Sequence, residues 1–428
     1  MIPEIEKSSP ENIIQFQEKK LAEQLVYLKE NSIYYQRLFD KHNIDISTMK
    51  TLQDLEQIPV TDKSDLQAEN DAFFCVPKEQ IIDFASTSGT MGKPVSFGLT
   101  DKDLDRLAYN EAISFACAGI SKNDVVQLMT TMDRKFMAGL AYFLGLRKLG
   151  AGVIRTGAGI PELQWDSILS NKPTFLITVP SFLIKMIEYA EQKGIDINKT
   201  SVKTAICIGE PLRKQDFSPS ELSRRINEKW GIKLISTYAS TEMSTAFTEC
   251  EFQNGGHEHP ELIITEVLDE NNKPVQEGEV GEITVTTLGI EAVPLLRFKT
   301  GDLARLYNEP CKCGRTTKRV GPVLGRTQQM IKYKGTTVYP PAMHDVLNSF
   351  ENISGHVIEV EKNQIGTDDI IVKIVSEDQS NEFVDNIKNH FRAKLRVTPT
   401  IEFISVQELN KISFPPNSRK PKNVIDKR

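Results

Sequence analysis

Short apolar runs alternate with helical segments through the middle of the chain. The apolar runs begin at about residue 124 and lie at residues 125–129, 175–179, 204–208 and 233–238. The segments that we expect to be helices are residues 137–149, 181–193 and 218–229. This alternation predicts a largely parallel sheet covered by helices. Such folds bind their ligands beyond the carboxyl ends of the strands.

The chain before residue 124 begins with a helical lead-in. Leu21, Leu25 and Leu28 recur at i, i+4 and i+7 within residues 10–40, a spacing that places them on one face of a helix. We therefore expect this face to be buried.

The pattern changes again after residue 260. Residues 262–268 and 282–287 are separated by a turn-rich segment, so they predict antiparallel strands with no helices between them. A break follows near Gly325, and residues 330–428 predict strand, helix, strand, strand, helix and strand. The predicted fold class is therefore α/β. It has a large N-terminal domain of helix-covered, mostly parallel sheets with a small β-subdomain, residues 1–325, and a small C-terminal α/β domain.

Composition narrows the class of protein. The 428 residues are 39% hydrophobic and 26% charged, the make-up of a globular protein large enough for more than one core. A net charge of −6 argues against a nucleic-acid surface, which needs a concentrated basic face. The charged start and the absence of an 18-residue apolar stretch predict a cytoplasmic protein without a membrane partner. Six cysteines are too few for a disulfide scaffold.

A glycine-rich loop occupies residues 86–94, directly after an apolar run. Its side-chain hydroxyls, its backbone N–H groups and the ammonium group of Lys93 are groups that bind the polyphosphate of a nucleotide. It differs from the common NTPase loop, which needs glycine where Thr87 stands and serine or threonine where Pro94 stands. The alternative is an ordinary surface turn.

Further candidate segments follow in a fixed order. Residues 238–242 end a predicted strand, where an aromatic face could stack on adenine and a carboxylate could hold magnesium. The alternative is a strand end followed by a capping serine or threonine. Residues 297–302 place Asp302 after a glycine turn, where it could accept hydrogen bonds from ribose hydroxyls. Residues 325–328 come next. Each segment is weak evidence when it is taken alone.

Together these segments resemble the adenylate-forming superfamily of acyl-CoA synthetases, most closely its short phenylacetate–CoA ligase branch. The resemblance covers nearly the whole chain and also includes residues 209–212 and 424–428.

The resemblance implies roles for particular residues. Glu242 would hold Mg²⁺, Thr241 would contact the α-phosphate, and Lys420 would be the catalytic lysine of the small domain. Phe136 and Ala239 would line the substrate pocket. The residues implied in nucleotide binding are Ser86, Thr87, Ser88, Gly89, Thr90, Gly92 and Lys93 for the β- and γ-phosphates, Gly209, Glu210, Pro211 and Tyr238 around adenine, Ala239 and Ser240 beside them, and Asp302 and Arg326 for the ribose and its neighbouring phosphate.

The resemblance also implies an activity. A carboxylic acid, ATP and coenzyme A would give acyl-CoA, AMP and pyrophosphate through an acyl-adenylate, with Mg²⁺ as the metal. The acid would be an aryl or aryl-acetic acid such as phenylacetate. Two alternatives stay open: an adenylating enzyme whose acceptor is an amine or a carrier protein, and a non-catalytic nucleotide-binding protein. The oligomeric state is open as well, with a homodimer as one alternative.

Three positions depart from the family pattern. The resemblance implies that the small C-terminal domain is mobile and moves about a hinge, residues 326–329. Gln328 stands in this hinge where the family has aspartate or lysine. Residues 132–136 replace a glycine- and aromatic-rich segment near the acyl pocket, and Arg419 replaces the glycine before the catalytic lysine. The second departure bears directly on which acid is used.

One set of residues predicts a metal site. Cys250, His257, Cys311 and Cys313 would make a closed tetrahedral zinc site of three thiolates and one imidazole, which is a structural type. His259 is the alternative fourth ligand, and buried unpaired thiols are the alternative to metal. The remaining cysteines, Cys75, Cys117 and Cys207, lie in apolar surroundings and are expected in the core.

Overall fold

The computed structural model describes residues 2–87, 94–333, 335–362, 368–414 and 422–428. The helices are α1 (Pro10–Asn31), α2 (Ile33–Lys41), α3 (Lys63–Glu69), α4 (Asp101–Cys117), α5 (Met137–Leu149), α6 (Pro161–Asn171), α7 (Pro180–Lys193), α8 (Glu221–Lys229), α9 (Pro340–Asn348), α10 (Asn381–Leu395) and α11 (Val406–Ser413). The strands are β1 (Asp83–Ser86), β2 (Ser96–Leu99), β3 (Val125–Leu128), β4 (Gly152–Arg155), β5 (Phe175–Thr178), β6 (Thr204–Cys207), β7 (Lys233–Ser240), β8 (Thr245–Glu249), β9 (Gly256–His257), β10 (Ile263–Leu268), β11 (Gly281–Thr287), β12 (Phe298–Ala304), β13 (Leu306–Tyr307), β14 (Arg319–Val320), β15 (Gly325–Arg326), β16 (Ile331–Tyr333), β17 (Thr336–Val338), β18 (Gly355–Lys362), β19 (Asp368–Val375), β20 (Thr400–Phe403) and β21 (Val424–Asp426).

The chain forms two compact units. The first comprises Met1–Ser218 and Arg225–Pro322, and the second comprises Pro219–Arg224 and Val323–Arg428. The predicted α/β fold class with a large and a small part is confirmed. The sequence pattern carried no sign that residues 219–224 belong with the second unit. The hinge at Gln328 stays a prediction.

The N-terminal helices pack as their pattern predicts. Ser9 accepts a hydrogen bond from the backbone N–H of Asn12 and so caps α1. Leu21, Leu25 and Leu28 are all buried in the core of the first unit. The helical lead-in and its buried face are therefore confirmed.

A nine-stranded sheet forms the centre of the first unit. Its strand order is β13-β14-β9-β8-β7-β6-β5-β3-β4. The half from β4 to β7 is parallel, and the half from β7 to β13 is antiparallel. The predicted apolar runs are the strands β3, β5, β6 and β7 of the parallel half. Strands β3, β5 and β6 are almost wholly buried, whereas only Leu234 and Ile235 of β7 are buried. The direction of pairing changes at β7.

A smaller antiparallel sheet contains β10, β11 and β12. Strand β10 pairs with β11 from Ile263 opposite Thr287 to Leu268 opposite Glu282, which confirms the predicted pair. Between β11 and β12 the register shifts, so that residues 300–302 lie opposite Ile283 alone. Gly301 sits in this bulge with a φ of +80°, a conformation that glycine adopts without strain. The bulge sets the position of Asp302.

The second unit has its own sheet, with the order β20-β19-β18-β21. Strands β18 and β19 are antiparallel, while β20 and β21 add to them in parallel. Helices α9 and α10 supply Met343, Leu347 and Ile387 to a core that is separate from those of the first unit. The predicted order is present, with a hairpin of β16 and β17 as its first strand and with α11 and β21 in addition. Among the helices in the described part of the chain, none is both long and apolar enough to cross a membrane.

Candidate functional site

Two candidate segments meet at the carboxyl edge of the large sheet. Strands β6 and β7 are parallel, with Cys207 opposite Ser236. Gly209 follows the end of β6 and Tyr238 lies near the end of β7, so both belong to the edge at which the carboxyl ends of these parallel strands open. Gly209 has a φ of +77°, and a Cβ added there would meet no other atom within 4 Å. This edge therefore offers open space at Gly209, and it also carries the ring of Tyr238.

The carboxylate of Glu210 binds Ser181 in the first turn of α7. Its two oxygens accept hydrogen bonds from the backbone N–H and the hydroxyl of Ser181, each at 2.8 Å. Ser181 lies in the first turn of α7, where Val179 occupies the N-cap and has no side-chain acceptor. Burial raises the pKa of Glu210, and the Ser181 hydrogen bonds oppose that rise. The carboxylate thus caps α7, while the backbone of residues 209–211 remains at the sheet edge.

Tyr238 and Asp302 are joined by a hydrogen bond. The Tyr238 hydroxyl donates to Oδ2 of Asp302 at 2.8 Å. The ring of Tyr238 also packs against Phe247, with centroids 6.0 Å apart. The backbone N–H of Asp302 donates to Oγ1 of Thr300. Two segments that the sequence separates by 64 residues therefore form one site.

Thr241 and Glu242 lie in the connection from β7 to β8. Only residues 241–244 separate the two antiparallel strands, whose last pair is Ser240 and Thr245. The Nζ atom of Lys63, at the start of α3, is 3.4 Å from Oε1 of Glu242. Sequence reasoning missed Lys63. The Asp-Lys-Ser-Asp pattern at 62–65 could have indicated a helix start, but nothing in it indicates this partner.

The base of the glycine-rich loop is described, and its tip is not. Strands β1 and β2 pair antiparallel, with Ser86 opposite Ser96. Thr87 closes the loop, because its N–H donates to the Val95 carbonyl and its hydroxyl accepts from the Val95 N–H, both at 3.0 Å. The predicted phosphate contacts Ser88, Gly89, Thr90, Gly92 and Lys93 lie outside the described residues.

The segment before α5 lies against this loop. The N–H of Ser86 donates to the carbonyl of Lys135 at 3.0 Å. Arg134 and Lys135 both have positive φ, at 57° and 58°, which is strained for residues with a Cβ. A Cβ added at Gly139 would be 2.1 Å from the carbonyl oxygen of Thr131, so α5 packs onto this segment only because residue 139 is glycine. The position of Phe136 follows from these constraints.

The predicted pocket residues lie on neighbouring elements. Phe136 is half-buried and precedes Met137, whose sulfur lies 3.8 Å from the hydroxyl oxygen of Ser244. Ala239 is exposed at the end of β7. Phe136, Met137 and Ala239 are thus brought towards the same turn, residues 241–244.

The other predicted residues belong to the second unit. Arg326 ends β15, and both Arg326 and Gln328 are exposed. The carbonyl of Gln328 accepts a hydrogen bond from Nη2 of Arg428 at 3.3 Å. Lys420 lies outside the described residues. Its catalytic role and the hinge role of Gln328 stay predictions.

The four predicted metal ligands come together. The ligand atoms of Cys250, His257, Cys311 and Cys313 all lie within 4.8 Å of one another. Cys250 follows β8 and His257 lies on β9, the next strand of the sheet. Cys311 and Cys313 lie in the connection between β13 and β14, where Gly314 closes a tight turn with a φ of +90°. Strands β8, β9 and β14 are neighbours in the sheet, and this brings the two pairs together.

The ring nitrogens of His257 have separate partners. Nε2 faces the sulfur of Cys313 at 3.5 Å, while Nδ1 lies 3.2 Å from the hydroxyl of Thr317. Burial, followed by the charge of Arg315, lowers the pKa of His257 to about 3, so the imidazole is neutral. Desolvation opposes ionisation of Cys313, but hydrogen bonds from Arg315 outweigh it and lower the pKa of that thiol. A neutral imidazole binds metal, and a lowered thiol pKa favours the thiolate that binds metal.

His259, the alternative ligand, is held elsewhere. Its Nδ1 lies 2.6 Å from the carboxylate of Glu6, and its Nε2 lies 3.0 Å from the hydroxyl of Ser114. Glu6 is fully buried and also accepts a hydrogen bond from Nε of Arg315 at 2.6 Å. The remaining cysteines, Cys75, Cys117 and Cys207, are buried, and Cys117 packs beside the four-residue cluster.

Comparisons with known proteins find two matching family models, similar curated proteins and a similar solved structure. The family model described as AMP-binding enzyme matches residues 9–290, and the model described as AMP-binding enzyme C-terminal domain matches residues 335–428. The phenylacetate–coenzyme A ligase of Thermus thermophilus is 32% identical over 377 residues, which cover 87% of this chain and 83% of that protein. The phenylacetate–coenzyme A ligase of Escherichia coli is 30% identical over 388 residues, covering 88% and 85%. A crystal structure of 2-hydroxyisobutyryl-CoA ligase in the postadenylation state is similar in fold, with a TM-score of 0.86 and 24% identity, covering 100% of this chain and 92% of that chain.

The hydrogen bond between Tyr238 and Asp302 can be tested by Tyr238→Phe. We expect ATP to bind roughly 3–10-fold more weakly, because the loss of one hydrogen bond costs about 1 kcal/mol and leaves the Asp302 carboxylate less well oriented. Calorimetric titration of the folded protein with ATP measures this change. Tyr27→Phe is the matched control, since the Tyr27 hydroxyl donates to the Glu291 carbonyl at 2.8 Å in the same unit. Equal weakening by both variants would contradict a specific role for Tyr238.

Proposed function

The chain belongs to the AMP-binding enzyme family and is an ATP-dependent acid–CoA ligase that works through an acyl-adenylate, and we propose that its acid is an aryl or aryl-acetic acid such as phenylacetate. The observation that supports the proposed site is the hydrogen bond between Tyr238 and Asp302, made near the end of β7 that leads into the turn carrying Glu242. Acid, ATP and coenzyme A are converted to acyl-CoA, AMP and pyrophosphate.

Two displacements make up this reaction. A carboxylate oxygen attacks the α-phosphorus of ATP, an oxygen–phosphorus bond forms, and pyrophosphate leaves. The sulfur of coenzyme A then attacks the acyl carbon, loses its proton, and displaces AMP. Both steps need cationic groups and hydrogen-bond donors aimed at developing negative charge, and neither needs a nucleophilic side chain of the protein.

The proposed nucleotide contacts follow the geometry of the sheet edge. Gly209 and Pro211 would face adenine with their backbone, and Tyr238 would cover it with its ring. Asp302, oriented by the Tyr238 hydroxyl, would accept from the ribose hydroxyls. The role of Arg326 at the ribose and its neighbouring phosphate rests on the family resemblance alone. Thr241 would donate to the α-phosphate from the turn after β7.

Glu242 is the proposed ligand of Mg²⁺. Its carboxylate offers the oxygen donors that Mg²⁺ prefers, and it lies largely shielded in the turn, with 12% of its side chain exposed. When bound, Mg²⁺ supplies positive charge to the phosphate oxygens. Lys63 adds a further positive charge beside the same carboxylate.

The proposed acid is flat and largely apolar. Phe136 and Met137 border the turn that carries Thr241, so apolar surface lies next to the place proposed for the α-phosphate. Tyr142, six residues after Phe136, is buried and packs against Phe115 in the core. We further propose that the enzyme works in the cytoplasm, where its cysteines would remain reduced.

Acid-dependent exchange of pyrophosphate into ATP tests the proposed function. We expect exchange with aryl or aryl-acetic acids and thioester formation when coenzyme A is added. A panel of aryl, aryl-acetic and short aliphatic acids, assayed for exchange and for CoA-dependent AMP release, measures both steps. Preference for an amino acid or a sugar acid would contradict the proposed substrate. Exchange without thioester formation would favour an amine or carrier-protein acceptor, and ATP binding without exchange would favour a non-catalytic protein.

We propose that Lys420 stabilises charge only during adenylation. Lys420→Ala should then slow acyl-adenylate formation at least ~100-fold, on the order of ~3 kcal/mol, and leave the reaction of synthetic acyl-adenylate with coenzyme A nearly unchanged. Lys422→Ala is the matched control, two residues along the same basic tail. Rapid-quench measurement of each half-reaction separates the two effects. Equal loss in both steps would indicate a general role in folding or binding.

We propose that Cys250, His257, Cys311 and Cys313 hold one structural zinc ion. Three sulfurs and Nε2 of a neutral histidine are a ligand set that Zn²⁺ prefers, and four protein ligands leave no position for water. A neighbouring residue also suits this site, because the Thr317 hydroxyl lies 3.2 Å from Nδ1 of His257 and orients the ring.

The zinc site predicts about one tightly held ion per chain. Cys311→Ser should lower the melting temperature and the zinc content while changing the turnover number much less at permissive temperature. Cys207→Ser is the control, because Cys207 is also buried but lies on β6, outside the cluster. Metal analysis and thermal unfolding give the two readouts. Purified protein that contains no zinc and whose thiols all titrate in the folded state would reject the site.

A further inference from the structure

The turn after β7 contains a strained residue. Ser244 has a φ of +47°, although it carries a Cβ, and it is buried. A left-handed conformation at such a residue costs on the order of 1–3 kcal/mol and persists only where the surroundings hold it. Inside the turn, the Ser244 N–H donates to the Ser240 carbonyl at 3.3 Å and its hydroxyl donates to the Thr241 carbonyl at 3.1 Å.

Arg106 of α4 holds this turn from outside. Its Nη1 donates to the carbonyl of Ser244 at 2.8 Å, and its Nη2 donates to the hydroxyl of Thr245 at 3.2 Å. The same guanidinium donates to the carbonyls of Leu262 at 2.6 Å and Leu288 at 2.7 Å. One planar group thus ties the turn to the β-subdomain through four hydrogen bonds.

Helix α4 gives Arg106 a fixed base. One turn earlier, the Asp103 carboxylate accepts hydrogen bonds from the backbone N–H groups of Glu291 and Ala292, at 2.7 and 3.0 Å. The same carboxylate accepts from the N–H of Thr100 and completes a capping box at the start of α4. The end of α4 that carries Arg106 is therefore anchored independently of the turn.

We infer that Arg106 is a positioning residue for adenylation, which holds the strained turn at Ser244 so that Thr241 and Glu242 keep their places. This inference rests on the proposed roles of Thr241 at the α-phosphate and of Glu242 at Mg²⁺. Without the guanidinium, the Ser244 carbonyl loses its partner and the peptide can relax towards ordinary φ. Because Glu242 lies only two residues away, that relaxation displaces its carboxylate, and misplacements of about 1 Å cost up to 100-fold in rate.

The experiment compares Arg106→Met and Arg106→Lys with Arg297→Met. Arg297 is the matched control, because its guanidinium is buried and bonds to Glu266, the Ile58 carbonyl and the Asn272 carbonyl, none of which belongs to the turn. Three quantities are measured on each folded protein: the rate of acid-dependent pyrophosphate exchange, the Mg²⁺ concentration that gives half of the maximal rate, and the hydrogen–deuterium exchange of amides 241–246.

We expect Arg106→Met to slow pyrophosphate exchange at least 10-fold and to raise the half-saturating Mg²⁺ concentration several-fold. The same variant should speed hydrogen–deuterium exchange of the amides of residues 241–246. Arg106→Lys should have intermediate effects on all three quantities, because lysine keeps the positive charge but cannot make the four hydrogen bonds of the planar guanidinium. This variant also serves if Arg106→Met does not fold. Arg297→Met should lower thermal stability without changing the Mg²⁺ requirement or amide exchange in the turn. The reaction of synthetic acyl-adenylate with coenzyme A should stay within about twofold in every variant that folds.

Ser244→Gly provides a second arm, since glycine adopts positive φ without strain. Added to Arg106→Met, it should restore part of the lost rate. The inference is wrong if Arg106→Lys matches the wild type, or if Arg106→Met lowers stability as Arg297→Met does and leaves the Mg²⁺ requirement unchanged. If the wild type catalyses pyrophosphate exchange and the Arg106 variants catalyse it equally fast, only this inference is rejected. No exchange in the wild type with any acid removes the proposed function together with it.

Discussion

The change of strand direction at β7 is the constraint on which the candidate site depends. On one side β7 is parallel to β6, so the carboxyl ends of both strands open at one edge. On the other side it is antiparallel to β8, so the chain must reverse within residues 241–244. A reversal this short leaves little conformational freedom. It places Thr241 and Glu242 at the edge where Gly209 and Tyr238 already lie, and it accounts for the left-handed residue at Ser244.

Buried and half-buried polar side chains hold the parts of this site together. Asp103 binds backbone amides of residues 291 and 292, Arg106 binds the turn after β7, and Tyr238 binds Asp302. Each of these groups would be costly to bury alone, and each is satisfied by a partner distant in sequence. The charged and polar atoms therefore specify which loops meet, while the apolar strands of the sheet supply the rigid frame behind them.

The candidate metal cluster and the candidate active site share one strand. Strand β8 begins at Thr245, next to the turn, and Cys250 follows its last residue. Five residues of strand span about 17 Å, so the cluster lies at the opposite end of β8 from Glu242. All five residues of β8 are buried. A cluster that joins Cys250 to β9 and to the connection between β13 and β14 would thus stabilise the far end of the strand on which the turn is built.

The sequence by itself determined four strands of the parallel half, the pair β10 and β11, several helices and the type of chemistry. The parallel strands can be predicted because a strand that is covered on both faces is apolar throughout. The glycine-rich, Tyr238 and Asp302 segments can be predicted because each is a short motif of consecutive residues. Cys250, His257, Cys311 and Cys313 could be grouped as candidates because thiolates and imidazole have few other common uses together.

Only the tertiary structure decided which distant groups meet. Lys63 at Glu242, Arg106 at Ser244 and Glu6 between His259 and Arg315 have no local pattern, because a hydrogen bond or an ion pair across the fold leaves no periodic signal in the chain. The same reason explains His259, which the sequence left as an alternative ligand. Glu6 and Ser114 occupy its two ring nitrogens, and both come from elements remote from it in sequence. Local order therefore determined which groups are present, and packing decided what each group contacts.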